Sequence, residues 1–336
     1  MKVASTIRRI TLSLIALLLA VTAPVAFAAP APSPAPGSGQ ALEIGPPIVN
    51  LKGDPGAKVQ AQISLRDVSR DKLIVSNQIN DFTAAGEGGT PKLLLSETTP
   101  GPNSIIPWIT PLPQFTLVPQ QIQRLDIILK IPVNASPGGY YGVIRFSGQP
   151  PGINSSGVAL SASVGVLVFL RVNGQATESM TIQQFKTLGD NGKDNWLFES
   201  VPVNLSALIK NSGNLFEQPA GQAVITDMFG KNVAAVEFNQ SQDYVLPGTA
   251  RRFTEPLDKS IVGDKFLFGK YTANLKVTYG DGQQSVTSTL TFWIIPYRLI
   301  AAIIIGLIAL GLIIRFALQR YRENIERNSR GGGRRR

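Results

Sequence analysis

Two hydrophobic patterns divide the chain. Between residues 42 and 293, apolar positions come in short runs with partial alternation, each closed by Gly, Pro, Asn or Asp. Between residues 299 and 314 they run without a single charged or polar side chain. In the first region the runs are 59–65, 72–79, 124–131, 141–146 and 158–172, then 201–209, 222–226, 271–279 and 285–293. Strand-length runs with turn signals and no helical period between them predict an all-β fold. Their spacing predicts two tandem immunoglobulin-like β-sandwiches, at 42–173 and 174–295, followed by one transmembrane α-helix at 296–318.

The two halves repeat one pattern. Phe115-Thr-Leu-Val-Pro119 leads to Arg124 and then to Gly138-Gly-Tyr-Tyr-Gly142; Tyr244-Val-Leu-Pro247 leads to Arg251-Arg252 and then to Phe268-Gly-Lys-Tyr271. That is the order of the closing strands of an immunoglobulin-like sandwich. It makes Tyr140 or Tyr141, and Tyr271, candidates for a tyrosine corner, in which the hydroxyl bonds to backbone just upstream. Asp281-Gly282 marks a hairpin turn, Asn211-Ser-Gly-Asn214 a turn cluster, and Leu246-Pro-Gly-Thr-Ala250 another turn rather than a sorting signal.

The uncharged run of 16 residues spans about 24 Å as helix. The flanks make up the roughly 30 Å of a bilayer core. Trp293, Tyr297 and Tyr321 carry amphipathic rings suited to headgroup depth, and Arg298 and Arg315 can raise their guanidinium groups to the interface. From Arg315 onward, eight arginines face two glutamates, so the positive-inside tendency puts the 319–336 tail in the cytoplasm and the sandwiches outside. At the other end, Lys2, Arg8 and Arg9 precede an apolar stretch and a small-x-small site, Ala26-Phe27-Ala28. This predicts a signal peptide at 1–28, with a Pro/Ala/Ser linker at 29–41.

The formal charge of +10 first resembles that of a nucleic-acid binder, but the excess sits in the leader and the tail. Residues 30–297 hold 20 basic and 20 acidic side chains, so no nucleic-acid partner is expected. The chain has no cysteine and no histidine. That excludes disulfides, Ser-His-Asp and Cys-His catalysis, and His/Cys zinc sites. The acidic residues form no recognisable pair, so the expectation is a non-enzyme without cofactor or metal. For ligand binding, the best sequence candidates are Trp108, Ile109 and Phe115. Trp108 stands in a proline-rich stretch that cannot be a strand interior. An aromatic ring on such a loop either stacks on a sugar or a protein partner or folds back over the sandwich end.

The fragments Pro137-Gly-Gly-Tyr-Tyr-Gly-Val-Ile-Arg-Phe146 and Phe115-Thr-Leu-Val-Pro119 carry a family resemblance. So does the plan of leader, two sandwiches, one span and basic tail. The chain resembles the WxL-interacting surface proteins of Gram-positive bacteria. That resemblance implies two immunoglobulin-like domains, the first associated with peptidoglycan binding and the second with a host or protein partner. The expectation is therefore a non-catalytic, single-pass protein of the cell membrane, whose outer domains bind a cell-wall polymer or a surface protein. The alternative is a chaperone-like or scaffolding subunit of a membrane or secretion complex.

Overall fold

The computed structural model describes residues 42–95, 99–151 and 162–331. The signal peptide and linker expected at 1–41 lie outside the described residues, as do the last five residues of the tail.

The first sandwich contains strands β1 (Leu42–Gly45), β2 (Ile48–Gly53), β3 (Lys58–Asp67), β4 (Leu73–Ala85), β5 (Thr90–Leu94), β6 (Phe115–Leu117), β7 (Ile122–Lys130), β8 (Gly138–Gln149) and β9 (Ala162–Val172). One sheet runs β1-β3-β7 and the other β2-β9-β8-β4-β5, with β6 also on β4. The chain changes sheets between β1 and β2, across Pro46-Pro47, where a missing N–H ends the first ladder. Inward-facing Ile63, Leu65, Val75, Ile127, Leu129, Ile144, Phe146, Val168 and Leu170 fill the space between the sheets, almost without exposure.

The second sandwich contains β10 (Met180–Leu188), β11 (Leu197–Phe198), β12 (Val203–Asn211), β13 (Ala220–Asp227), β14 (Asn232–Phe238), β15 (Ala250–Leu257), β16 (Gly269–Tyr279) and β17 (Gln284–Ile294). Its sheets run β10-β12-β15 and β11-β17-β16-β13-β14. In β16 every second residue is buried, from Gly269 to Tyr279, the period-2 signature of a strand with one face on the core. Both halves thus have the immunoglobulin-like arrangement, a three-stranded sheet packed on a larger one in which the last two strands of the domain pair with each other.

Both tyrosine corners are present. Tyr140 donates its hydroxyl to the Ser136 carbonyl at 3.0 Å. The Tyr271 hydroxyl accepts from the Phe268 N–H at 3.0 Å and faces the Phe268 carbonyl. Leu246-Pro-Gly-Thr-Ala250 is a turn, with Gly248 at φ +74° and its N–H on the Asn211 carbonyl.

A helix from Tyr297 to Gly331 closes the described chain. Its 35 residues reach about 52 Å, and its stretch Tyr297–Arg322 is long and apolar enough to cross a membrane. No part of that apolar stretch is buried against the rest of the chain. The helix outruns the predicted 296–318. Ala317, Leu318, Gln319 and Arg320 are good helix formers, and no Gly or Pro interrupts before Gly331, so the first part of the basic tail continues the helix.

Candidate binding surfaces and the joint between the sandwiches

Trp108 ends a single 3-10 turn, Ile106–Trp108, with Pro107 at its second position. Its ring packs on Tyr140, centroids 4.3 Å apart at 46°, while the Tyr140 hydroxyl is held by Ser136. The indole is half-buried against the sandwich core, so the loop folds back and leaves only part of the ring to solvent. Ile109 is a core residue, 7% exposed and bridged to Leu129, and offers no face to a ligand. Phe115 opens β6 opposite Val75, which in turn pairs with Gly148. The step from Tyr140 to Gly148 is eight residues of β8, or roughly 25 Å. Trp108 and Phe115 therefore sit toward opposite ends of the sandwich and do not form one platform.

The surface where the two sandwiches meet carries no local sequence signal. Strand β9 is apolar on both faces. Val166, Val168 and Leu170 point into the first core, while Leu167 and Phe169 point the other way. Phe169 is 2% exposed. It stacks on Tyr244 (4.4 Å, 27°) and lies 4.9 Å from Phe216, both from loops of the second sandwich; Phe82 and Tyr141 complete the cluster. Leu246 is buried in the same patch.

Polar groups lock this apolar contact. Asn211 is fully buried and donates to the carbonyls of Leu215 and Val245. Asn214 accepts from the Thr177 N–H and donates to the Pro137 carbonyl of the first sandwich, and its own carbonyl accepts from the Gly139 N–H at 2.8 Å. The Gly138-Gly139 pair makes that approach possible. A Cβ on Gly139 would fall 2.7 Å from the Phe216 ring, and Gly138 holds φ +154°. Arg171, the next outward residue of β9, pairs with Glu178 at 3.4 Å and Asp281 at 2.8 Å. Across the contact, Arg252 pairs with Glu87, and the Tyr244 hydroxyl donates to Asn50.

Beside Arg171, Glu217 is buried with its Oε2 accepting from the Gly280 N–H and its Oε1 unpartnered. Burial, followed by the nearby Glu178 charge, pushes its carboxyl up to about 7; the Gly280 bond and Arg171 only partly oppose this. Two clefts flank the joint. One, about 310 Å³, lies between Phe82, Thr90, Phe169, Tyr244 and Arg251. The other, about 410 Å³, lies between Asn50, Arg171, Glu217 and Asp281.

At the far end of the second sandwich, Trp293 stands in β17 and is partly exposed. Ile295 and Pro296 alone separate β17 from the helix. Arg298, in the first helical turn, pairs with Glu199 of the sandwich at 3.2 Å. Tyr297, Arg315 and Tyr321 are exposed along the helix. Trp293, Tyr297 and Arg298 thus stand at one end of the apolar stretch, and Arg315 and Tyr321 at the other.

No protein-family model and no curated protein matches the chain. Solved structures of immunoglobulin-like domains do. The class 5 fimbriae chaperone CfaA aligns with a TM-score of 0.40 and 11% identity, over 74% of this chain and 98% of that one. The E. coli chaperone DraB aligns with a TM-score of 0.34 and 16% identity, over 76% and 98%. The PapD-like domain 7 of human CEP192 aligns with a TM-score of 0.28 and 11% identity, over 46% and 98%. Likeness at this level says nothing about what the present chain binds.

Proposed function

We propose that the chain is a membrane-anchored, non-catalytic surface protein, whose paired sandwiches bind a cell-wall polymer or a surface protein outside the membrane. The observation that carries this is the C-terminal helix. It is apolar, uncovered by the rest of the chain, and leaves the last strand after two residues. An apolar helix of that length with no protein partner is stable in lipid and not in water. The resemblance to WxL-interacting surface proteins supports peptidoglycan as the polymer and the first sandwich as its receptor. Detergent-solubilised full-length protein is expected to be retained on isolated peptidoglycan and to lose retention on substitutions in the first sandwich. Free passage through peptidoglycan, with a second protein co-purifying, would remove the polymer from the proposal.

One observation favours the scaffolding alternative. β2 pairs with β9 only from Leu167 to Val172, and among the described residues no strand is hydrogen-bonded to 162–166 on that side, although β1 packs close to β9. The Leu167 N–H points to this side, onto the Pro47 carbonyl. Strand alternation then turns the N–H groups of Gly165 and Ser163 the same way. An open edge of this kind accepts a strand from a partner. Ser163→Pro removes one outward N–H without touching the β8 ladder. It is expected to abolish a strand-donating partner and to leave polymer retention unchanged.

A further inference from the structure

We infer that the membrane-facing end of the second sandwich is itself a lipid-contacting surface, an aromatic collar seated in the headgroup layer around the point where the helix enters. The inference rests on the reading of that helix as a span.

The registers place five separate segments at this end. β16 starts where β17 finishes, Gly269 opposite Ile294. The β13–β14 hairpin turns there, with Asp227 opposite Tyr271. β11 runs parallel to the end of β17, and the Trp196 carbonyl accepts from the Trp293 N–H. β15 ends there opposite the start of β12 and leads into the short helix Lys259–Val262. These segments carry Trp196, Phe229, Phe266, Phe268 and Trp293. Among the described residues, they are the only exposed Phe and Trp side chains outside the C-terminal helix. The exposed apolar residues of the first sandwich are scattered aliphatics.

The loops hold these rings out firmly. Phe229 is 88% exposed at the hairpin tip, where Asp227 Oδ1 accepts from both the Phe229 and Lys231 N–H groups. Phe266 is 75% exposed. The backbone of Phe268 is fixed by the Tyr271 hydroxyl, so the tyrosine corner of this domain steadies the collar. Large apolar rings on braced loops contribute nothing to the sandwich core and would be a liability in water. Tryptophan and phenylalanine at this depth are what a bilayer interface stabilises.

The occupant follows from continuity and charge. Two residues separate β17 from the helix and reach at most about 7 Å, so this end cannot stand clear of the surface. Lys231, Lys265 and Arg298 sit among Asp227, Asp264 and Glu199. With the two signs in balance, the contact is apolar insertion and needs no anionic lipid.

The chain has no cysteine, so a single nitroxide reports one place. Full-length Phe266→Cys, and Arg70→Cys at the opposite end of the molecule, are spin-labelled and reconstituted into phosphatidylcholine vesicles. The 266 label is expected to collide with oxygen in preference to a water-soluble nickel chelate, by several-fold over the 70 label. If vesicles float with the protein but the two labels behave alike, the collar is overturned while the span stands. Spin–spin broadening at 266 also overturns it, in favour of a second copy covering the rings. Protein that does not float with vesicles refutes the span itself. Phe229→Ser in the Phe266→Cys background is expected to reduce the oxygen preference without detaching the chain.

Discussion

Glu217 is a carboxyl group that folding keeps protonated to higher pH than a free glutamate. Its ordinary value is 4.5, and burial beside Glu178 raises it to about 7. Between those two values the unfolded chain has released a proton that the folded chain still holds. Stability contributed by Glu217 is therefore greatest below about pH 4.5, falls as pH rises through the window, and is fully lost above about pH 7. Glu217→Gln keeps an acceptor for the Gly280 N–H and removes the titration. Urea unfolding of the variant is expected to match the parent near pH 4 and to exceed it by on the order of 1–2 kcal/mol near pH 8. Parallel pH curves for the two proteins would show that the group ionises freely. The glycines beside this site teach a related lesson. Gly138 and Gly139 read in the sequence as turn residues before a strand, and they do open β8. Their larger role is to admit Asn214 and Phe216 of the other sandwich, and one sequence has no way to display that long-range contact.

Strand β9 shows how far an element can be read without coordinates. Its apolar-rich run was evident at 158–172, as were the two closing strands and the tyrosine corners, because each follows from local periodicity and turn chemistry. A strand apolar on both faces must be covered on both, yet what covers β9 comes from loops 45 to 75 residues further along. The candidate loop at Trp108 illustrates the opposite limit. Its proline-rich composition correctly excluded a strand, but the burial of Ile109 and the packing of Trp108 on Tyr140 depend on the fold of β7 and β8. Phe169 tests the joint directly. Phe169→Ala removes a ring shared by both sandwiches and is expected to cost about 3–5 kcal/mol. Its specific signature is faster amide hydrogen exchange at 213–217 and 244–248, across the contact, with β12 and β16 still protected. Unchanged exchange at those loops would mean that the sandwiches touch without supporting each other.

At the scale of the whole molecule, one geometric fact governs the rest: the last strand runs into the helix almost without a linker, and Arg298 in its first turn is paired back to Glu199. The short link keeps this end of the second sandwich close to the helix, and the joint built on Phe169 and Arg171 ties the first sandwich to the second. The orientation proposed for the chain rests on a separate feature, its charge. Beyond the apolar stretch the chain carries eight arginines and two glutamates, whereas residues 30–297 are balanced; under the positive-inside tendency the proposed orientation keeps the tail in the cytoplasm. Two measurements follow on cells expressing the protein with a C-terminal epitope. Protease added outside is expected to cleave the sandwich loops and leave the epitope intact. Ending the chain after Ile295 is expected to release the sandwiches in soluble form, whereas the full chain stays with the membrane through alkaline extraction. Loss of the epitope to external protease would reverse the orientation. Release of the full chain by alkali would mean that the helix lies against another protein rather than across lipid, and the collar of Trp196, Phe229, Phe266, Phe268 and Trp293 would then mark that protein's seat.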